Sequence, residues 1–567
     1  MAKLLHKLQR SISHAGDSMS VRSLHEQEEG EVVTIPDEIY NWKLILVAVT
    51  AAAAAVIIGY DAGFIGGTVS LASFQKEFGL DKMSKSHQTL VNANVVSVFQ
   101  AGAFWGSLFM YPVGELVGRK VGLFISGFFL TFGAAISLVS NSSNGLGAIY
   151  AGRVLTGIGI GGCSGLAPIY VSEISPASIR GRLVGCWEVS WQVGGIIGYW
   201  INYGVLENMP PSRRQWLIPF AVQLIPSGLF WVGVMFLPES PRFLISRGNV
   251  EKARKNLSIL RNLPESHPYS IYEMNNIERD FNERKRKLGT GFFAPMKKVI
   301  TSRKLLYRML LSTSLFPMQN GSGINAITYY SPTVFKSLGV NGSNAGLLST
   351  GIFGLLKGFA SVVWIFFIVD NFGRRTALIW ASIPCSLTMW YIGAYVKIAD
   401  PSAALARGET RMTAGGKAAQ AMLYIWTIFY GASWNGTPWC INSEIFSQEI
   451  RTFTQAINAS ANWFWAFIWG RFTGNAFNAI GYGLYFLFAS CMLIFPFVIY
   501  LFYPETKGVP LEAIDHLFEV PAWRAREHAL EQFEKEYGHR VTQEGESLDE
   551  KRSDRYEEEE EKEEERL

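Results

Sequence analysis

Two ionisable residues lie inside stretches that are otherwise apolar, and they raise the first chemical question. Asp61 stands in "VIIGYDAGFIGG" (56–67), within an almost uncharged run long enough to cross a bilayer. A carboxylate at that depth costs at least ~2.5 kcal/mol, and without a partner it would be protonated. Arg153 lies in a later apolar run, at a similar predicted depth. The two side chains can therefore meet, and an ion pair would make both charges tolerable.

A second pair of opposite charges lies nearer the middle of the predicted spans. The helical rise places Glu188 about 12 Å from Arg180, and Lys357 roughly 19 Å from Asp370. These positions predict either a pair across a central cavity or two separate ligand contacts. For Lys357 the alternative is a lysine that packs or extends toward the membrane surface, although its central position makes that surface hard to reach.

The composition is that of a polytopic membrane protein. Of 567 residues, 49% are hydrophobic and 17% are charged, whereas soluble proteins carry about 25% charged residues. The apolar segments are roughly 20 residues long, which matches the thickness of a bilayer core. We predict an all-α membrane protein with twelve transmembrane helices, at approximately 43–66, 91–112, 121–140, 147–170, 184–204, 216–237, 304–334, 345–369, 376–396, 418–441, 453–475 and 480–503.

Three short motifs occur twice in the same order. "SEISPASIRG" (172–181) recurs as "SEIFSQEIRT" (443–452), "GELVGRK" (114–120) as "DNFGRR" (370–375), and "PESPR" (238–242) as "PETKG" (504–508). The repeats predict two six-helix halves with a site between them at mid-membrane, the layout of a rocking transporter. For any single motif, the alternative is that its basic residues only anchor a cytoplasmic loop, as the positive-inside rule describes. Three motifs in register make coincidence improbable.

Charge segregation divides the chain further. We predict five segments: a cytoplasmic N-terminal segment (1–42), a first half (43–237), a cytoplasmic linker with short helices (238–303), a second half (304–503) and an acidic cytoplasmic tail (504–567). Basic residues concentrate in the loops after spans 2, 4, 6, 8 and 10, so these loops and both termini are assigned to the cytoplasm. We expect a cytoplasmic gate formed by Glu115, Arg119, Glu173, Arg180, Asp370, Arg374, Arg375, Glu444 and Arg451.

Together these motifs carry a family resemblance. "GYDAGFIGG", "AGRVLTGIGIGG", "PESPRFL", "DNFGRR" and "PETKG" resemble the sugar porters of the major facilitator superfamily over about residues 40–520. "QNGSGINAITYYSPTVF" (319–335) and "SWNGTPWCINSE" (433–444) are similar to the fungal quinate permeases, a branch of that family.

The resemblance implies roles for particular residues. Asp61 and Arg153 match the proton-coupling pair, and a static ion pair is the alternative. Glu188 stands where sugar porters usually have a sugar-binding glutamine, and Gln192, one turn later, could take over a hydroxyl contact. The predicted substrate-binding residues are Glu188, Gln192, Gln319, Asn320, Asn325, Tyr329, Lys357, Trp439 and Trp463. Amides suit polyhydroxylated ligands because they both donate and accept hydrogen bonds; for the tryptophans, packing is the alternative.

These observations predict a secondary active transporter for the proton-coupled uptake of quinate or a related polyhydroxylated molecule by alternating access. A proton-coupled hexose or pentose transporter is the alternative, and a nutrient sensor built on the carrier fold is the rival of another class. No nucleophile–base arrangement, Walker lysine or metal-ligand spacing points to an enzyme, a metal site or a cofactor. The expected partners are the solute, protons and the bilayer, with no nucleic acid and no partner protein, and the expected location is the plasma membrane.

Overall fold

The computed structural model describes residues 36–535 except 177–178, 290, 341, 370, 408–410 and 448, and this part of the chain contains helices and no strands. The first helices are α1 (Trp42–Ser70), α2 (Ala72–Glu77), α3 (Lys85–Leu116), α4 (Arg119–Ser137), α5 (Gly147–Ile174), α6 (Arg180–Asn208), α7 (Arg213–Val222) and α8 (Leu224–Phe236). A linker follows with α9 (Pro241–Ser246), α10 (Val250–Arg261), α11 (Pro268–Leu288) and α12 (Ala294–Thr301).

The second set of long helices begins directly after this linker. It comprises α13 (Arg303–Gly321), α14 (Ile324–Ser337), α15 (Ser343–Val363), α16 (Arg374–Ala399), α17 (Pro401–Ala406), α18 (Ala414–Gly431), α19 (Thr437–Glu444), α20 (Arg451–Ile480) and α21 (Gly483–Phe502). A π-helical turn (Trp364–Ile368) extends α15. Short 3₁₀ helices lie at Asp37–Ile39, Leu80–Lys82 and Leu511–Phe518, and a last helix covers 525–535.

Eight helical segments of the described chain are long and apolar enough to cross a membrane. They coincide with predicted spans 1, 2, 3, 4, 6, 8, 9 and 12. The other four predicted spans are also helical, but they are more polar or interrupted: α6 and α20 are continuous, whereas α13–α14 and α18–α19 are each broken in the middle. The break between α13 and α14 falls at Gly323, whose φ of 97° favours glycine.

The helices pack as two bundles. Two large buried apolar clusters lie mainly in the first bundle (42–236) and one lies mainly in the second bundle (303–502), and each includes at least one residue of the opposite bundle. Four helix pairs join the bundles: α3 with α20, α6 with α15, α1 with α14, and α5 with α20. The interface between the bundles is therefore built from the long central helices of each.

Glycines bring helices of the first bundle into backbone contact. A Cβ at Gly157 would lie 2.1 Å from the Phe99 carbonyl oxygen, and one at Gly161 would lie 2.0 Å from the Ala103 carbonyl oxygen. Both glycines belong to "GIGIGG" (157–162), a run of small residues of the kind that allows close packing of membrane helices. No larger side chain fits between α3 and α5 there.

One end of the interface, which we call the Tyr329 end, is closed by direct contacts between the bundles. Asn478 Nδ2 of the second bundle donates to Thr89 Oγ1 of the first bundle at 3.0 Å. A Cβ at Gly66 would lie 2.2 Å from the Tyr329 carbonyl oxygen. Helices α1 and α14 thus approach as closely as their backbones allow.

The opposite end, which we call the Arg119 end, carries the linker and most of the charged side chains. Lys298 Nζ lies 2.8 Å from Glu449 Oε2, and Lys287 Nζ lies 3.3 Å from Glu449 Oε1. Burial acts to raise the pKa of Glu449, but the hydrogen bonds and charges of the two lysines hold it below its usual value. The linker is thereby tied to the segment between α19 and α20.

The repeated motifs occupy equivalent places at the Arg119 end. Glu239, from "PESPR", accepts from the Arg119 N–H at 3.1 Å and so caps the start of α4. Glu505, from "PETKG", accepts from the Arg374 N–H at 2.9 Å and so caps α16. Carboxylates are favourable at helix N-termini. The sequence repeat therefore corresponds to a repeated capping contact.

We expect the substitution Gly66→Ala to open the Tyr329 end, because its Cβ would collide with the backbone of α14. The matched control is Gly63→Ala on the same helix, whose Cβ would lie 2.5 Å from the Gly195 carbonyl oxygen inside the first bundle. Electron–electron resonance between nitroxide labels at Ser86 and Ala479, which are both exposed at this end, should give longer distances for Gly66→Ala only. Equal distances in both variants would contradict this view of the interface.

Candidate functional site

Asp61 and Arg153 form a closed ion pair inside the first bundle. Arg153 Nη1 lies 3.0 Å from Asp61 Oδ1, and Nη2 lies 3.1 Å from Oδ2, a two-pronged geometry. Both side chains are almost fully buried, at 2% and 1% exposure for Arg153 and Asp61. Gln223 Nε2 donates to Asp61 Oδ1 at 3.2 Å, and Arg153 Nε donates to the Val95 carbonyl. The carboxylate is thus held by three donors in a buried site.

The guanidinium of Arg153 also links this pair to the bundle interface. It lies over the Phe99 ring, 5.0 Å from the ring centre. Phe99 in turn contacts Trp463 of the second bundle, edge to face, at 6.0 Å between ring centres. A displacement of Arg153 would therefore disturb a contact between the bundles.

The second predicted pair lies in the interface itself. Glu188, half-buried on α6, accepts from Gln192 Nε2 at 2.6 Å and from Asn435 Nδ2 of the second bundle. Lys357, on α15, is buried and interacts electrostatically with Glu188. Within the described chain its ammonium has no hydrogen bond and no ion pair within 4 Å. Glu188 and Lys357 are thus neighbours across the interface, without direct contact.

The predicted amides of the second bundle lie around the break between α13 and α14. Gln319 Nε2 donates to the carbonyls of Trp434 at 2.8 Å and Asn435 at 3.0 Å. Asn320 Nδ2 donates to the Phe316 carbonyl at 2.8 Å, and Asn325 Nδ2 donates to Asn320 Oδ1. Most of their N–H groups are therefore engaged with the protein itself.

The predicted aromatic residues differ in their burial and in the helices that they contact. Trp463 is buried, donates from Nε1 to Ser164 Oγ at 3.0 Å and stacks on Trp191 at 6.3 Å. Trp439 is half-buried and packs edge to face on Phe316 at 4.9 Å. Tyr329 is buried where α14 meets α1. Trp463 thus joins the bundles, whereas Trp439 packs within the second bundle.

Between the bundles lies a small cavity. Its lining includes Trp191, Gln192 and Tyr199 from α6, Thr328 from α14 and Lys357 from α15. Its volume is ≈ 10 Å³, about the space of one water molecule. This cavity has no room for a ring-shaped solute, so the residues that line it would have to move apart to admit one.

The predicted gate residues divide into two sets at the Arg119 end. In the first bundle, Arg119 Nη2 lies 2.9 Å from Glu115 Oε1 and 3.1 Å from Glu173 Oε1. In the second bundle, Arg374 Nη2 lies 2.8 Å from Glu444 Oε1. Each set holds the ends of its own bundle together.

The remaining gate residues do not bridge the bundles. Arg375 donates to the Tyr500 carbonyl at 2.6 Å, and Arg451 donates to the Phe446 carbonyl at 3.2 Å. Arg180 lies near enough to Arg451 to repel it. Asp370 lies outside the described residues. Among the described gate residues, no ion pair crosses from one bundle to the other.

The sequence analysis missed two polar partners in this site. Gln223 lies where α7 ends and α8 begins, three residues before Pro226, and Asn435 lies between α18 and α19, three residues before Pro438. A polar residue shortly before a proline in an apolar span signals a broken helix with an inward-facing side chain. Both residues lie in segments that the resemblance covers, so their positions before a proline could have been used to predict them as site residues.

Comparison with known proteins places these features in a family. The sugar (and other) transporter family matches residues 47–518. A probable quinate permease of Aspergillus flavus is 50% identical over 515 residues, covering 91% of this chain and 94% of that protein. The quinate permease of Emericella nidulans is 48% identical over 496 residues, covering 87% and 92%.

Solved structures of a bacterial carrier have the same fold. The proton:xylose symporter XylE bound to 6-bromo-6-deoxy-D-glucose superimposes with a TM-score of 0.68 at 25% identity, covering 84% of this chain and 99% of that one. XylE from E. coli in an inward-open conformation gives 0.66 at 23% identity, covering 84% and 100%. The protein is thus a multi-pass membrane protein of the major facilitator fold. It belongs to the sugar transporter family and is a transporter rather than an enzyme.

Proposed function

We propose that this protein imports quinate or a closely related polyhydroxylated acid together with protons, by alternating access of a central site. The relatives named quinate permeases and the named proton:xylose symporter support this proposal. One observation carries the substrate class: Lys357 lines the central cavity with no partner that binds its ammonium directly among the described residues. A buried cation of this kind suits a carboxylate, because attraction is strong where the dielectric is low.

The other cavity groups would bind the hydroxyls. Glu188 is an acceptor for hydroxyl donors, and Gln192 supplies an amide on the same face of α6. Gln319, Asn320 and Asn325 would contribute from the second bundle once the bundles separate, with Tyr329, Trp439 and Trp463 forming apolar walls. Glu188 would repel the solute's carboxylate if it faced it, so we place the carboxylate at Lys357 and the hydroxyls at Glu188.

Asp61 would carry the proton. In the ion pair, its charge holds Arg153 in the first bundle, with the guanidinium over Phe99. Protonation removes that charge, and Arg153 would then move away and release the Phe99–Trp463 contact that joins the bundles. Protonation of Asp61 would thus favour the rearrangement that exposes the central site to the opposite side of the membrane. A bound proton, like any ligand, shifts an equilibrium by its differential affinity for the two states.

We assign the Arg119 end to the cytoplasm because its loops are rich in lysine and arginine. In this assignment both termini are cytoplasmic, the Tyr329 end is extracellular, and the rocking units are residues 43–237 and 304–503. The linker and the acidic tail would then lie in the cytoplasm. The expected location is the plasma membrane. The gate residues would hold the cytoplasmic ends of the bundles, with Asp370 as a further member.

Competitive uptake tests the substrate. Cells that lack their own carriers and express this protein should take up labelled quinate, and unlabelled quinate should compete far better than glucose, xylose or a polyol. Strong uptake of glucose or xylose without competition by quinate would identify a monosaccharide carrier instead. Signalling without uptake of any of these solutes would identify a sensor.

Substitution of Asp61 by asparagine should abolish accumulation of the solute against its gradient but preserve exchange of internal for external solute. Asparagine mimics the protonated acid, so the carrier can turn while loaded but cannot release a proton. The measurement is uptake with and without a protonophore, and Asp81→Asn, the same change at an exposed carboxylate, is the control. Full accumulation by Asp61→Asn would disprove proton coupling through this residue.

Substitution of Lys357 by methionine should weaken quinate uptake by roughly tenfold or more, because a charge-assisted contact is lost. Methyl quinate, which has the same ring but no charge, should compete equally well in the variant and in the wild type. Lys336→Met, the same change at an exposed lysine, is the control. Equal losses for quinate and its methyl ester would make Lys357 a structural residue.

A further inference from the structure

Asn435 occupies an unusual position for a polar side chain, in the gap between α18 and α19 where the backbone leaves the helix. Its amide Nδ2 donates to Glu188 of the first bundle and, at 3.2 Å, to Ser361 Oγ on α15. It therefore connects three elements and crosses the interface at the depth of the central cavity. Glu188 accepts this bond with the same oxygen, Oε1, that accepts from Gln192.

The break that presents Asn435 is held in place by its surroundings. Gln319 donates to the carbonyls of Trp434 and Asn435, and Trp364 Nε1 donates to Thr437 Oγ1 at 3.0 Å. A Cβ at Gly436 would lie 2.5 Å from the Trp364 ring, so the backbone passes tightly against that ring. None of these contacts needs a solute. The amide is thus aimed at Glu188 by the second bundle itself.

Closure of an empty carrier would enclose the Glu188 carboxylate without a solute beside it. A carboxylate that is enclosed between the bundles is costly unless hydrogen-bond donors surround it. In the loaded carrier, hydroxyls of the solute can donate to Glu188. In the empty carrier, Gln192 is available on the same helix, and Asn435 is the donor that arrives only when the bundles meet. In the structure Glu188 accepts from both amides, and the cavity beside Gln192 has no room for a solute.

We propose that Asn435 stands in for a solute hydroxyl at Glu188 and thereby allows the empty carrier to close and return. Asn435 is in this sense a positioning residue, which acts on the solute only through Glu188. The charged group that acts electrostatically on Glu188 from the second bundle is Lys357 on α15, and Glu188 in turn acts on Tyr430 of α18. This inference rests on the proposed transport function, but it concerns the return step and applies to whichever solute the protein carries.

The return step can be separated from the loaded step by experiment. Net uptake requires the empty carrier to return, whereas exchange of internal for external solute proceeds with the carrier always loaded. For Asn435→Ala we expect net uptake to fall by roughly tenfold or more, because a hydrogen bond to a charged group is lost from the empty closed state. Exchange should stay within about twofold of the wild type, since solute hydroxyls then replace the amide. The residual net uptake should still collapse with a protonophore.

The matched control is Asn478→Ala, which also removes an asparagine bond between the bundles but lies at the Tyr329 end, away from Glu188. It should affect net uptake and exchange equally, if at all. Size-exclusion profiles in detergent establish that both variants fold. An equal loss of net uptake and exchange in Asn435→Ala, or a loss of neither, would overturn the inference.

Both assays use the solute that the wild-type protein takes up. If wild-type cells take up xylose rather than quinate, the substrate proposal fails, and the same comparison is made with xylose. The two hypotheses are therefore tested by separate outcomes.

Discussion

Charges can be buried between two bundles of helices only where a partner meets each of them, and this constraint organises the whole interface. Asp61 is satisfied inside the first bundle, by a two-pronged contact with Arg153 and an amide from Gln223. Glu188 is satisfied partly by the opposite bundle, through Asn435. One carboxylate therefore keeps its partners when the bundles separate, and the other loses one. In our account this difference separates the proton site from the solute site.

The two sites are connected through side chains rather than through a shared cavity. Arg153 lies over Phe99, and Phe99 lies against Trp463, which is anchored to Ser164 and stacked on Trp191. Trp191 also lines the small central cavity. A change of charge at Asp61 can thus reach the cavity through this series of packed rings. In our proposal, Lys357 and Glu188 contact the solute directly.

Much of this could be predicted from the sequence, and the exceptions have a physical reason. The apolar spans and the close packing at "GIGIGG" follow from hydropathy and residue size. The similar depth of Asp61 and Arg153 allowed them to meet, and the family resemblance implied that they do. Four predicted spans are less apolar or are interrupted: α6, α13–α14, α18–α19 and α20. They contribute Glu188, Gln319, Asn435 and Trp463 to the site. Polar residues that line a site lower the hydropathy of the span that carries them. The partners of Glu188 and the separation of the gate residues into two sets depend on how the bundles meet, and local sequence does not encode that directly.

The most direct test of proton-coupled acid transport is the movement of protons that a solute gradient drives. Purified protein in liposomes with equal pH on both sides receives external quinate, and a trapped dye reports the internal pH. Our account predicts that the interior acidifies as quinate enters, and that neither empty liposomes nor liposomes containing the Asp61→Asn variant acidify. Entry of quinate through the wild-type protein without any change of internal pH would contradict it.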